Sequence, residues 1–330
     1  MTPSPATPAL RYAGWVTEVV SPIKDFIDDT VDPRDLYADL QEVAEGESGS
    51  VFAARVVRSS NAQDYIAIKQ VALLPSGSPK LIDLERELRL MKRLRHSNIL
   101  TMDMLYVDLV EDSLWISMAL MDRSLADVLD LAEDGIQVDE KCITRLAKDT
   151  LMALSFLRAQ GIAHRDVRSD NLLINHSGNV KLADFSNAVK VLPNQPLCDE
   201  PAGVIYWQVC TDRPGPYDPL KVDVWSLGAT VWEMAQAQPP FADITDASQI
   251  GDTLPPLDSP ESFSRSFHDF LQLCSQPRSS RPDPEDLLHT PFIRNANDRS
   301  VVAELLLRCR STEEDLAKRL SVVSQRTVCP

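Results

Sequence analysis

Apolar and polar residues alternate in short runs from Leu40 onward. Gln41–Glu42–Val43–Ala44 leads into a glycine turn, and Ser50–Val51–Phe52–Ala53–Ala54–Arg55–Val56 resumes the pattern. Tyr65–Ile66–Ala67–Ile68–Lys69–Gln70–Val71 follows, rich in residues that favour strands. Together these runs predict three strands of a meander. The period then changes. Leu81, Leu84, Leu88, Met91 and Leu94 recur at three- and four-residue steps, as along one face of a helix. Two more strands are predicted near Met104–Val107 and Leu114–Met118. Beyond Asp122 the chain turns helical: Leu125–Leu131, Ile143–Ala159, Val222–Ala237 and Ser264–Cys274. Pro and Gly cluster between residues 193 and 219, marking a long irregular segment of the kind that is often functional. The order predicts an α+β, bilobal fold: a small β-rich lobe, a short connector, then a larger helical lobe. An amphipathic stretch, Trp15–Val16 through Val19–Val20, reads as an extension packed on the main body. Beyond Asn295 the tail reads as helical, with Ser311 and Glu314 spaced as a capping box.

The 330 residues are 44% apolar and 25% charged, enough to bury one large core or two smaller ones. No stretch of about 18 uncharged apolar residues occurs, so no membrane span is expected. The opening Met1–Thr2–Pro3–Ser4–Pro5 has neither a basic start nor an apolar run, so secretion is not indicated. Six scattered cysteines without Cys-x-x-Cys spacing fit a cytoplasmic location better than a disulfide framework or a zinc site. The net charge of −16 would repel a phosphate backbone, which argues against nucleic acid as a partner. The same charge would attract basic peptides, or serve solubility alone.

Candidate chemistry follows the predicted elements. Gly46–Glu47–Ser48–Gly49 lies between two strands, where glycines let backbone amides approach a phosphate or simply close a hairpin. Lys69 sits between buried neighbours and needs an anion, a phosphate or an acid such as Glu87, unless it snorkels from a strand end. The densest segment is His164–Arg165–Asp166–Val167–Arg168–Ser169–Asp170–Asn171, bounded by Ile162–Ala163 and Leu172–Leu173–Ile174. Such charge between apolar runs is costly unless it serves a ligand. Asp166 can accept a hydroxyl proton and Asn171 can hold a metal. Asp184, which follows Val180–Lys181–Leu182–Ala183, offers a second oxygen to Mg²⁺.

In this order the segments resemble a eukaryotic protein kinase, from about residue 37 to 293. The resemblance implies an extension (1–36), a kinase domain (37–293; N-lobe 37–117, hinge 118–124, C-lobe 125–293) and a helical tail (294–330). It implies ATP and Mg²⁺ as cofactors. Gly46 and Gly49 would cover the phosphates, and Lys69, paired with Glu87, would hold two of them. Asp166 would be the catalytic base beside Arg168, with Asn171 and Asp184 on the metal. Val51, Ala67 and Leu173 would sandwich the adenine, with Met118 at the gate of its pocket. Asp223 would brace the catalytic loop. Ala67–Ile68–Lys69–Gln70–Val71, Ser169–Asp170–Asn171–Leu172–Leu173 and Tyr206–Trp207 resemble the STE group, and within it the PAK family of serine/threonine kinases. Val31–Asp32–Pro33–Arg34–Asp35 is similar to the entry segment of the fungal PAK-like branch. Protein substrates bearing Arg near the acceptor are implied, with Asp127 and Asp170 as partners of that Arg. So is a Rho-type GTPase signalling context, although these residues hold no GTPase-binding motif of the usual kind.

Several positions depart from the family pattern. The first loop glycine is Ala44, and the usual Asp-Phe-Gly is Asp184–Phe185–Ser186, where Ser is unfavourable if the backbone needs positive φ. The catalytic-loop Lys is Arg168, bulkier and forked. Its usual Thr partner is Val204, so a hydroxyl contact to Asp166 is expected to be absent. The Ala-Pro-Glu motif is replaced by Val209–Cys210–Thr211, which is expected to deprive Arg281 of a buried partner unless Asp212 substitutes. Asp199 and Glu200 put fixed negative charge where a phosphothreonine would meet Arg165, and are expected to order the loop in part. Two readings stay open: an active serine/threonine kinase, and a pseudokinase that acts as a scaffold or allosteric partner.

Overall fold

Strand propensity and turn glycines shape the first part of the chain. The computed structural model describes residues 14–46, 49–57, 64–76, 79–192, 194–200, 202–207, 216–244 and 253–326. They fall into two units, Met1–Leu94 with Leu100–Leu120, and Arg95–Ile99 with Met121–Pro330.

The first unit opens with α1 (Trp15–Val19), a 3₁₀ turn over Ser21–Phe26 and α2 (Pro33–Leu36). Asp32 caps α2 by accepting the Arg34 N–H, and Pro33 fills its first position. An antiparallel sheet of β1 (Tyr37–Gly46), β2 (Gly49–Val56), β3 (Tyr65–Ala72), β4 (Met102–Asp108) and β5 (Ser113–Met118) has the order β1-β2-β3-β5-β4. Among the described residues, the helix between its strands is α3 (Pro79–Met91). Gly49 is demanded by the sheet itself: its φ is +128°, and a Cβ there would lie 2.1 Å from the Gln70 carbonyl oxygen.

Two apolar layers cover the two faces of this sheet. Ala54, Ile68, Tyr106 and Trp115 pack with Leu36, Tyr37 and Leu40 on one side. On the other, Val71, Leu105, Leu114 and Ile116 pack against Leu81, Leu84 and Leu88 of α3. Val16, Val20 and Ile23 join that second layer, so the extension is part of the core. Arg34 fixes its far end with a bidentate pair to buried Asp108 (2.8 and 2.7 Å), stacked over Trp115.

In the second unit, β6 (Arg123–Ser124) runs into α4 (Leu125–Leu129), and α5 (Glu140–Ala159) follows. Short strands β7 (Ile162–Ala163), β8 (Leu172–Ile174), β9 (Val180–Leu182) and β10 (Val189–Lys190) bracket residues 164–171 and 183–188. They pair as β6-β8-β9 and β10-β7. Then come α6 (Pro219–Gln236), α7 (Arg265–Cys274), α8 (Pro284–Leu288), α9 (Pro291–Arg294) and α10 (Ser300–Arg326). Helix α6 is apolar nearly all round, from Val222 through Met234, and is buried accordingly. It touches α7 so closely that a Cβ at Gly228 would sit 2.5 Å from the Cys274 Cβ.

The tail differs from the expectation. α10 is one continuous helix, and Ser311 and Glu314 lie inside it instead of capping a new one. Val302, Leu305, Leu306 and Cys309 continue a single buried stripe at helical spacing, so nothing breaks the helix at Ser311. Farther along, Glu313 pairs with Arg123 (2.9 Å for both bonds) and Arg310 with Asp122 (2.7 Å), tying the tail to the entry of this unit. Among the described residues no helix is long and apolar enough to cross a membrane.

If the extension belongs to the core, Ile23→Ala, which removes a fully buried side chain, lowers unfolding stability by about 2–4 kcal/mol. Urea denaturation checks this, and an unchanged midpoint would show that the segment does not pack there.

Candidate active site

The predicted nucleotide contacts of the first unit share one face of its sheet. Residues directly paired across an antiparallel sheet point the same way, and positions two apart on one strand do too. Val51 pairs with Lys69, and Ala67 pairs with Met118. Ala67 and Lys69 are two apart on β3, so all four side chains emerge on the same side. Gly46 and Gly49 face each other where the β1–β2 ladder ends, and Glu47 and Ser48 lie outside the described residues. Lys69 and Glu87 are both half-buried, on β3 and α3. Among the described residues no ion pair joins these two, although Glu87 is itself engaged.

The second unit gathers the rest. Helix α6 presents the buried Asp223, whose two oxygens accept consecutive backbone N–H groups, from His164 at 2.8 Å and Arg165 at 2.7 Å. Arg165 has φ +63°, a left-handed backbone that costs a non-glycine residue about 1–2 kcal/mol. Asp184 stands likewise, at φ +60°. Burial pushes Asp223 up to about 7, against the pull of the two N–H bonds and Arg165.

His164 is fully buried and held well below its usual range, at about 4, by desolvation. Its Nδ1 faces the Asp166 N–H (3.3 Å) and its Nε2 faces the Ala183 carbonyl (3.0 Å). A neutral ring protonated on Nε2 satisfies both. Ala183 also donates its N–H to the Asn171 carbonyl (2.9 Å), so His164, Asn171 and the residue before Asp184 are bound into one frame.

Within that frame lies Asp166. Its Oδ2 accepts from Asn171 Nδ2 (3.1 Å) and Asn187 Nδ2 (3.3 Å), and Asn171 Nδ2 also bonds the Asp166 carbonyl (2.8 Å). Its Oδ1 is buried with no hydrogen-bond partner, and the nearest cation, Arg168 Nε, is 3.7 Å away. Burial raises the Asp166 pKa, Arg168 opposes that, and Asp184 adds to it. The Asn171 amide nitrogen is thereby committed to Asp166, which leaves its oxygen end for a cation. Asp184 is exposed, and its Oδ1 accepts the Ser186 N–H at 3.1 Å. An amide oxygen and a carboxylate suit Mg²⁺ that brings its remaining oxygens from water and phosphate. Leu173, on β8, pairs with Ser124 and Lys181.

The departures resolve in particular ways. Ser186 does not adopt positive φ, so the missing glycine leaves no backbone strain. Arg168 does more than keep a charge: it pairs with Asp170 (2.9 Å) and lies over the Trp207 ring (5.6 Å). Asp127 is also engaged, capping α4 reciprocally with Ser124. Both acids expected to meet a substrate Arg therefore have partners within the chain. Glu200 and Asp199 are exposed, and among the described residues neither carboxylate pairs with Arg165. The link runs through the main chain: Arg165 Nη1 donates to the Tyr217 hydroxyl (3.1 Å), which donates to the Glu200 carbonyl (2.7 Å). Arg281 is buried and donates to the Gln276 and Lys221 carbonyls (3.1 and 2.6 Å) over the Trp225 ring. Val209, Cys210, Thr211 and Asp212 lie outside the described residues.

Two contributors went unnoticed in the sequence. Asn187 has no motif signal. Glu233 lies at the buried end of α6, where it accepts from Ser169 Oγ (2.6 Å) and Trp207 Nε1 (2.9 Å), joining the 164–171 loop to residues 205–207. A lone acid in the apolar run Ala229–Met234 was the available clue.

The protein kinase domain model matches residues 37–293. The chain belongs to the protein kinase family. That family uses ATP and Mg²⁺ and acts on protein substrates in general. The chain is similar to the serine/threonine-protein kinase pakC of Dictyostelium discoideum, 33% identical over 289 residues, 85% of this chain and 58% of that one. CST20 of Candida albicans is 34% identical over 286 residues, covering 83% of this chain and 22% of CST20. STE20 of Candida glabrata is 33% identical over 320 residues, 92% of this chain and 32% of STE20. Both carry the same serine/threonine-protein kinase description. This chain thus spans less than two thirds of each of these relatives.

Burial raises Glu233 from 4.5 to about 7, with Ser169 and Trp207 opposing. Below pH 4.5 the carboxyl is protonated whether folded or not; as pH rises through 7 the fold must bury its charge. Stability therefore falls across that window, by up to about 3 kcal/mol, and Asp223 adds a slope of the same sign. Urea unfolding at several pH values should show a flatter profile for Glu233→Gln. An unchanged profile would mean that Glu233 ionises as it does in water.

Proposed function

We propose that this chain is an ATP- and Mg²⁺-dependent serine/threonine protein kinase of PAK type. The observation that carries the reading is Asp166: one carboxylate oxygen is held by two amides, and the other, among the described residues, has no hydrogen-bond partner. Its raised pKa fits a group that takes a proton as a hydroxyl attacks. Asn171, through its amide oxygen, and Asp184 would hold Mg²⁺, which when bound screens the phosphate charge and bridges phosphate oxygens. Lys69 would meet the phosphates, assisted by Glu87, and Gly46 and Gly49 would offer backbone N–H groups. Val51, Ala67, Met118 and Leu173 would contact the adenine. Arg168 would steady Asp166 by charge.

Residues 37–293 are proposed as the catalytic domain, with 1–36 as an extension and 294–330 as a tail. Activity is supported also by Ser186, which avoids positive φ and donates its N–H to Asp184 Oδ1. Substrates with an Arg near the acceptor are proposed, on the acidity of Asp170 and Asp127. Such an Arg must first take Asp170 from Arg168. A Rho-type GTPase signalling context and a cytoplasmic location are proposed on the PAK resemblance and the free cysteines.

Transfer of phosphate from ATP and Mg²⁺ to an Arg-containing peptide tests this, with Asp166→Asn alongside. The wild-type chain should transfer, and the variant should be slower by about 10²–10⁴-fold. Equal rates would refute the enzyme reading, and ATP binding measured in parallel would then test a scaffold role.

A further inference from the structure

Asn187 touches both of the residues that end the His164–Arg165–Asp166 run. Its carbonyl accepts from Arg165 Nε at 2.7 Å, and its side-chain amide donates to Asp166 Oδ2 at 3.3 Å. The side chain is half-buried. Of the two amides on Oδ2, Asn171 also bonds the Asp166 carbonyl and is the candidate metal residue. Among the described residues, the Asn187 nitrogen has no such second duty. Among the described residues nothing hydrogen-bonds Oδ1, and Arg168 Nε, at 3.7 Å, is too far to orient it. The rotation of the carboxylate about its Cβ–Cγ bond is therefore set on the Oδ2 side alone.

We propose that Asn187 is a positioning residue for phosphoryl transfer, holding Asp166 Oδ2 so that Oδ1 stays presented to the substrate hydroxyl. The proposal rests on the kinase reading above. The carbonyl bond to Arg165 makes the hold stiff, because the backbone of Asn187 is fixed to the same loop that carries Asp166. Substituting the side chain leaves that backbone bond in place, so the amide can be removed without releasing the loop. Asn187 needs no contact with substrate or nucleotide to act. Its effect belongs in turnover and not in binding.

Asn187→Ala removes the donor, and Asn187→Asp keeps the shape while replacing the donor with a like charge. With ATP, Mg²⁺ and an Arg-containing peptide, kcat of Asn187→Ala is expected to fall about 10- to 150-fold, the loss of one hydrogen bond to a charged group. KM for ATP and peptide should stay within about twofold, and the melting temperature should hold. Asn187→Asp should fall at least as far. In an Asp166→Asn background, Asn187→Ala should cost little more, since the two act as a unit. Wild-type kcat in Asn187→Ala, or a rise in KM that accounts for the whole loss, would overturn the proposal and leave the kinase reading standing. A wild-type chain that transfers nothing would overturn both. A readout independent of turnover is the side-chain ¹⁵N–¹H resonance pair of Asn187, assigned by its loss in Asn187→Ala. It should shift in Asp166→Asn, and its indifference to that change would overturn the contact itself.

Discussion

Two successive N–H groups, those of His164 and Arg165, point into the single buried carboxylate of Asp223 at 2.8 and 2.7 Å. Neither N–H has its bond by membership of a helix or strand, and both are buried, so without Asp223 each would be a buried orphan. The pairing also holds Arg165 at φ +63°, a backbone that the residue would otherwise leave. From this turn the chain enters Asp166 on one side and the buried His164 ring on the other. The ring holds Ala183, Ala183 holds Asn171, and Asn171 holds Asp166. Everything in the candidate site of the second unit depends on that closed circuit. Its anchor is an acid carried on the buried helix α6.

Burial makes this anchor costly as well as firm. Asp223 and Glu233, both on α6, are pushed up to about 7. Each is kept ionisable by donors from the loop it supports: two backbone N–H groups for one, Ser169 and Trp207 for the other. Removing the donors would leave an uncompensated buried charge, and removing an acid would leave the loop unpaired. Arg168 contributes from the opposite side, spanning Asp166, Asp170 and the Trp207 ring. An ammonium could not lie flat on that ring in the same way, so Arg in place of the family's Lys gains a stacking role.

Periodicity made much of the fold legible. The period-two runs over Ser50–Val56 and Tyr65–Val71 became β2 and β3, inside a sheet that apolar layers cover on both faces. The three- and four-residue steps from Leu81 became α3. The tail misled at Ser311: capping spacing is a local signal, and the buried stripe through Cys309 overrides it. Asp166, Asn171 and Asp184 were readable because charge is concentrated between apolar runs. Asn187 and Glu233 were not, since a single polar residue becomes meaningful once the fold brings a partner 21 or 64 positions away. Asp127 and Asp170 were recognised as acids, but their present partners Ser124 and Arg168 could be seen only in the folded chain.

On the kinase reading proposed above, the loop hung on Asp223 is what lets this chain transfer a phosphoryl group. Asp223→Asn keeps size and hydrogen-bonding capacity but turns one acceptor into a donor that faces an N–H group. The measurement is the single-turnover rate of phosphate transfer from ATP in saturating Mg²⁺ to an Arg-containing peptide, with circular dichroism confirming that the variant is folded. The wild-type chain should transfer phosphate, and folded Asp223→Asn should do so at least about 100-fold more slowly. A folded Asp223→Asn chain that matches the wild-type rate, or a wild-type chain that transfers none, would contradict it.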